Sequence, residues 1–264
     1  MKKNFLWMFT AIMTLCGATM FSACSSDKDD TPVTPATDDV RLTKIAMVTL
    51  SSEGDTLVAS TQSLTWENGL LTKTNTVMRT PTMDLILEQE DRYVYEGTNC
   101  TEIHYDTGTD EYFTYDGGRL RSAVSTMSGG YTMRINVTGY TDDGHISERT
   151  KETIDEGGTR IKVNYTFTWT DGDLTAWGSH PVDPAGEDDL ITYSYLDLPS
   201  PFIGYPVAQY ILSPFETANR GSKHFFDDDE ELTTENGRVT MAKHDNTTTY
   251  YAYSDGTGSN TFPD

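Results

Sequence analysis

The chain has 264 residues, with 19 lysines and arginines against 41 aspartates and glutamates and a formal net charge of −22. Such an acidic surface repels phosphates and anionic headgroups, which excludes nucleic acid as an expected partner and makes solubility the simplest use of the charge. Cys16 lies in an apolar leader and Cys24 at its end, so Cys100 stands alone in the rest of the chain, where neither an intramolecular disulfide nor a paired-cysteine metal motif can form. The leader begins with Lys2 and Lys3 and continues through a mostly apolar run to Phe21. This is the order of a secretory signal peptide. A spanning helix needs about 20 apolar residues, and this run is interrupted by Asn4, Thr10, Thr14, Gly17 and Thr19.

The run ends in Phe21-Ser22-Ala23-Cys24, which resembles the lipobox of bacterial lipoproteins, with Phe where Leu is commonest. The resemblance implies that residues 1–23 are removed, that the Cys24 thiol carries a diacylglycerol and that the new amine is acylated. Each buried acyl CH₂ contributes about 0.8 kcal/mol, so several chains hold a protein on a bilayer without a spanning helix. Ser25-Ser26-Asp27-Lys28-Asp29-Asp30 resembles the acidic export signal of Bacteroidota lipoproteins. It implies the outer leaflet of the outer membrane, the periplasmic face being the alternative. On their own terms the same letters also suit an ordinary cysteine followed by a solvated linker. Residues 24–40 are rich in Asp, Thr and Pro and read as an extended tether.

Residues 41–264 are expected to form one all-β domain: a large antiparallel sheet of long hairpins, strongly curved or barrel-like. A recurring turn carries this reading. It appears as Trp66-Glu67-Asn68-Gly69-Leu70-Leu71-Thr72, Tyr115-Asp116-Gly117-Gly118-Arg119-Leu120, Tyr140-Thr141-Asp142-Asp143-Gly144-His145-Ile146-Ser147, Trp169-Thr170-Asp171-Gly172-Asp173-Leu174-Thr175 and Glu235-Asn236-Gly237-Arg238-Val239-Thr240. Asn-Gly and Asp-Gly accept the positive φ of two-residue hairpin turns. Strict alternation over Ile161 to Trp169 and over Tyr131 to Thr138 marks strands with one dry and one wet face. Gly118, Gly144 and Gly172 recur at about the 25-residue interval of one hairpin unit. Tyr95-Glu96-Gly97 is a candidate for a further unit in the gap before Gly118.

This Tyr/Trp-x-Asp/Asn-Gly-x-Leu-Thr unit is similar to YD-type (RHS-like) repeats. Together with the lipobox it resembles Bacteroidota lipoproteins carrying the DUF4595 domain, and implies a porin-like β fold at the cell surface without supplying catalytic residues. Near residues 196–226 the repeat is interrupted by an apolar, Pro-rich stretch that is poor strand material, with a short helix expected from Val207 to Leu212 behind Pro206. So apolar a segment should pack into the mouth or concave face of the sheet, as core filling or as a ligand-gating loop.

No catalytic constellation emerges. His104, His145, His180, His224 and His244 lack metal-ligand spacing, and neither a nucleophile elbow nor a phosphate loop is present. The acidic runs Asp227–Glu231 and Asp183 with Glu187–Asp189 match no calcium-loop spacing and read as solvated turns. No metal or cofactor is expected. Trp66, Trp169 and Trp177 are candidates for stacking on a sugar, against the structural use of aromatics in sheets. Asp55-Thr56-Leu57 resembles a Bacteroidota O-glycosylation site.

The expected function is binding or scaffolding by a non-enzymatic envelope protein held on the membrane through Cys24, with a glycan or another envelope protein as partner. A glycan-active enzyme with facing carboxylates on the concave face is the alternative. An integral outer-membrane barrel is a third reading, opposed by the lipobox and by a C-terminus without a final aromatic.

Overall fold

A computed structural model describes residues 40–80, 85–126, 130–203, 206, 213, 221–226 and 231–259. The strands in chain order are β1 (Leu42–Leu50), β2 (Thr56–Glu67), β3 (Leu70–Thr80), β4 (Leu85–Glu96), β5 (Asn99–Tyr105), β6 (Asp110–Asp116), β7 (Arg119–Thr126), β8 (Thr132–Tyr140) and β9 (Ile146–Ile154). They continue as β10 (Arg160–Thr170), β11 (Asp173–Asp183), β12 (Asp189–Thr192), β13 (Tyr195–Pro199), β14 (His224–Phe226), β15 (Glu231–Glu235), β16 (Arg238–His244) and β17 (Thr247–Tyr253). Fifteen of them form one antiparallel sheet in the order β12-β11-β10-β9-β8-β7-β6-β5-β4-β3-β2-β1-β17-β16-β15. Its first and last strands in chain order, β1 and β17, pair within it, Leu42 with Tyr253 and Thr49 with Thr247. β13 and β14 make a separate two-stranded ribbon.

Each letter of the repeated motif has a physical task. Asn68 and Gly69 (φ 52° and 77°), Asp171 and Gly172 (53° and 88°) and Asn236 and Gly237 (51° and 75°) build turns with two positive φ values, whose twist matches the strands. The copy at Tyr140 is longer: Thr141 donates its N–H to the His145 carbonyl, and Gly144 donates to Thr141. That loop sets one extra residue between Tyr140 and Ile146. The ladder slips by one residue just before each motif aromatic, at Thr65/Trp66, Val94/Tyr95, Thr114/Tyr115, Gly139/Tyr140 and Thr168/Trp169. These are β-bulges, which leave a strand carbonyl poorly paired. The motif's closing threonine serves it: Thr72 donates to the Thr65 carbonyl, Thr101 to Val94, Thr175 to Thr168 and Thr240 to Thr233.

The aromatic hooks each hairpin to the one before. Trp66 Nε1 donates to the Leu42 carbonyl at 2.8 Å, Tyr95 Oη to Leu71 at 2.8 Å, Tyr115 Oη to Cys100 at 2.8 Å and Trp169 Nε1 to Ile146 at 2.8 Å. Tyr140 bonds the Leu120 carbonyl in the same way, and Tyr195 and Tyr253 bond those of Leu174 and Val239 at 2.8 Å. The accepting residues are themselves buried, at 0–5% exposure. One end of the sheet is thus a row of buried apolar residues, Cys100 among them, each tied by a later aromatic. Tyr95-Glu96-Gly97 is a full member of the row. In the last hairpin Thr234 stands at the aromatic position.

One face of the sheet is apolar toward the aromatic end, and twenty buried residues among those described, on this face and in the ribbon region, from Leu42 to Tyr253, form one cluster. The ribbon shows how the sheet dries it. Ser222 Oγ accepts from Leu174 N on β11, and Lys223 N donates to the Gly172 carbonyl. Phe202 and Phe225 set their rings edge-on against Tyr251 on β17, at 6.1 and 6.3 Å. β11 and β17 lie near opposite edges of the sheet, so the wall curls until the ribbon bridges them. β12 and β15 are not paired. The described parts of the apolar insertion, 196–203 and 221–226, pack into the aromatic end, but the expectation that 196–199 resists strand formation is corrected: Tyr195–Pro199 is an edge strand, with Pro199 at its last position, where no ladder donor is needed. The helix expected from Val207 to Leu212 and the run Asp227–Glu230 lie outside the described residues.

Candidate functional site

The inner face changes character along the strands. At the aromatic end it is apolar and covered by the ribbon. Along β10 toward the other end, Phe167 is 6% exposed, Tyr165 and Val163 are half-buried, and Ile161 is 50% exposed. The interior therefore opens away from the aromatic end, and here the inner wall turns polar.

Two groups of polar side chains face inward. The first is acidic and crosses β3 to β7. Thr74 Oγ1 donates to Asp91 Oδ2 at 3.0 Å, Gln89 Nε2 donates to Asp91 Oδ1 at 2.7 Å, and Tyr105 Oη donates to Glu111 Oε2 at 3.0 Å. Ser125 sits directly across from Glu111. Burial pushes the Asp91 carboxyl up to about 6, against the opposing hydrogen bonds of Gln89 and Thr74. Burial likewise pushes Glu111 up to about 7, with Asp91's charge adding to it. Both are closed in, at 1% and 4% exposure, and their oxygens are held by neighbouring side chains.

The second group is cationic and lies on β9. Arg149 is 1% exposed, and no acceptor among the described residues reaches its Nε, Nη1 or Nη2. Its guanidinium lies over the rings of Tyr165 and Phe167, at 4.9 and 5.2 Å. Burial draws it down to about 9, so it remains a cation at neutral pH. Lys151, two residues on and on the same face, is lowered by burial and then by the Arg149 charge. The cross-strand neighbours of this pair are Val137 and Ile135 on β8 and Tyr165 and Val163 on β10, none of them acidic. Trp177 stands next, its ring 5.8 Å from Tyr165.

The tryptophans singled out in the sequence are not brought together. Trp66 and Trp169 belong to the hooking row; Arg41 covers Trp66 at 5.3 Å, and His145 stacks on Trp169 at 4.4 Å. Trp177 lies on the inner wall and donates to Tyr193 Oη at 2.7 Å. Cys24 lies outside the described residues. Cys100 is buried, and burial pushes its thiol up to about 12, which makes it a packing residue. His104 pairs with Asp110, His180 with Asp188 and His224 with Asp173. Among the described residues no cluster of three His, Cys, Asp or Glu could hold a metal. A cavity of about 210 Å³ opens at the aromatic end between Arg41, Pro199, Ile203, Arg238 and Tyr253.

Sequence reasoning missed Asp91, Glu111, Arg149 and Lys151. Counting back by twos from the motif aromatics reaches the acids: Tyr95, Tyr93, Asp91 and Tyr115, Phe113, Glu111. Forward from the motif aliphatic, the bulge shifts parity, and the next inward residue is three on, as in Leu71 to Thr74 and Ile146 to Arg149. A count by twos from Ile146 lands on the exposed Glu148 instead.

No protein-family model matches the sequence, and no curated protein matches it. Solved structures do resemble it. A porin-like protein from Bacteroides uniformis aligns over 81% of this chain and 98% of its own, with a TM-score of 0.53 and 16% identity. A porin-like protein from Bacteroides vulgatus aligns over 82% of this chain and 99% of its own, with a TM-score of 0.25 and 6% identity. The first likeness is one of fold: the chain shares the all-β architecture of that porin-like protein.

Proposed function

We propose that this is a lipid-anchored envelope protein that binds or scaffolds and does not catalyse, its curled sheet standing in water and its membrane attachment supplied by Cys24. The outer face carries the reading. A lipid-facing barrel shows an outward apolar band about 25 Å tall with aromatic girdles. Here the outward positions of β10 are Lys162, Asn164, Thr166 and Thr168, and those of β8 are Arg134, Asn136 and Thr138. Glu90 on β4 pairs with both Lys73 and Arg92, and Glu152 with Arg160 at 3.2 Å. Charges at mid-strand cost about 2–4 kcal/mol each at a bilayer midplane for Arg and Lys. The name of the Bacteroides uniformis protein supports an envelope setting, and the leader with its lipobox-like ending supports a tether. Asp91 and Glu111 do not favour glycan hydrolysis, because their carboxyl oxygens are already engaged by Thr74, Gln89 and Tyr105. Mass spectrometry of the protein from host membranes tests the anchor: acyl chains on an N-terminal Cys24 are expected, and an unmodified Cys24 overturns it.

A further inference from the structure

The least explained group in the molecule is Arg149. A buried guanidinium carries five N–H donors, and leaving them without acceptors is among the costlier arrangements in a folded protein. Stacking on Tyr165 and Phe167 offsets part of that through the ring faces, but it leaves the in-plane donors free. Lys151 adds a second positive charge on the same face, and like charges in an interior repel strongly. The chain carries a large excess of carboxylates. Even so, the cross-strand neighbours of both residues are apolar or aromatic.

We propose that the inner wall of β9, β10 and β11 binds an oxyanion, a carboxylate or sulfate group, between Arg149 and Lys151. The guanidinium fork matches two adjacent oxygens of such a group, and Lys151 supplies a point charge beside it. Tyr165 stands level with Arg149 on β10 and Trp177 flanks it from β11, both half-buried, so that their ring faces are offered to whatever carries the oxyanion. An acidic sugar combines the two chemistries; a free inorganic oxyanion has the first alone. The site deepens the binding role proposed above and is independent of the anchor.

The test is isothermal titration calorimetry at low ionic strength on the full mature protein in detergent, with sodium sulfate, sodium glucuronate and glucose as probes. Sulfate or glucuronate is expected to bind one to one, with glucose at least tenfold weaker. Tighter binding of glucuronate than of sulfate identifies a sugar acid, and the reverse identifies an inorganic ion. Arg149→Met is expected to lose at least tenfold in affinity and Lys151→Met several-fold, with circular dichroism unchanged. Should Arg149→Met fail to fold, Lys151→Met and Arg149→Lys carry the comparison. Absence of saturable binding by both anions overturns the proposal, as does affinity unchanged in the folded variants or glucose binding as tightly as glucuronate. None of these outcomes bears on Cys24, whose acylation is read separately.

Discussion

The hydroxyl of Tyr95 donates a 2.8 Å hydrogen bond to the main-chain carbonyl of Leu71, 24 residues earlier in the chain. The same bond recurs from hairpin to hairpin, from a motif aromatic to the carbonyl of a buried residue one hairpin earlier, Leu42, Leu71, Cys100, Leu120 and Ile146 among them. Tyr95→Phe removes the donor, keeps the ring and strands the Leu71 carbonyl beside a side chain of 0% exposure. The expected cost is about 1–2 kcal/mol in urea unfolding, with the m-value unchanged. A loss below the error of the measurement would remove the bond from the account of stability.

Glycine is required for different reasons at two places. At Gly118 (φ 76°) a Cβ meets nothing within 4 Å, so Gly118→Ala carries only the strain of a left-handed residue, about 1 kcal/mol. At Gly258 (φ 76°) a Cβ would sit 2.0 Å from the Tyr251 carbonyl oxygen, which is backbone and cannot swing aside. Gly258→Ala should therefore lower the melting temperature several times further. Equal losses at the two sites would contradict the packing around the end of β17.

The buried acids set a pH dependence. Asp91 and Glu111 have folded-state values of about 6 and about 7, above the roughly 4 of an unfolded chain. The folded state holds more protons between these limits, so its stability is fully present below about pH 4 and is lost as pH rises through 6 and 7. Repulsion within an acidic chain acts in the same direction, and a variant separates the two. Glu111→Gln should flatten the fall in stability from pH 5 to 8 by an amount on the order of 2 kcal/mol. An unchanged slope would mean that Glu111 ionises as readily folded as unfolded.

One carboxylate makes two of the bonds that tie the ribbon to the sheet. Asp173 accepts from His224 N at 2.8 Å through Oδ1 and contacts His224 Nδ1 at 2.7 Å through Oδ2. Asp173→Ala should free β14 from the turn between β10 and β11. Limited proteolysis is then expected to cut within residues 196–226 much faster, while the far-ultraviolet spectrum stays that of the sheet. Cleavage at the wild-type rate would show that the Ser222 and Lys223 bonds and the Phe202 and Phe225 contacts hold the ribbon without Asp173.

The fold was legible because its signals are local. Asn68-Gly69, Asp171-Gly172 and Asn236-Gly237 announce their turns by the backbone they permit, and the alternation of Ile161 to Trp169 announces β10 directly. What lay hidden depends on parity and on distant parts of the chain. The bulge before each motif aromatic moves Arg149, not Glu148, to the inner face, and no letter near Ile146 marks that shift. The strand at Tyr195–Pro199 was obscured by its prolines, which an edge strand tolerates. The inward polar row of Thr74, Asp91 and Glu111 joins residues far apart in the chain, and only the register of β3 to β6 aligns them.

On the function proposed above, a wall charged on its outer face stands beside the membrane and is held there only through Cys24. Fractionation of cells expressing the full chain with Cys24→Ala and a leader that is still cleaved tests it most directly. The variant is expected to move from the membrane pellet to the soluble fraction and to stay monodisperse without detergent. Retention of the variant in the membrane, released only by detergent, would contradict it and return the sheet to the bilayer.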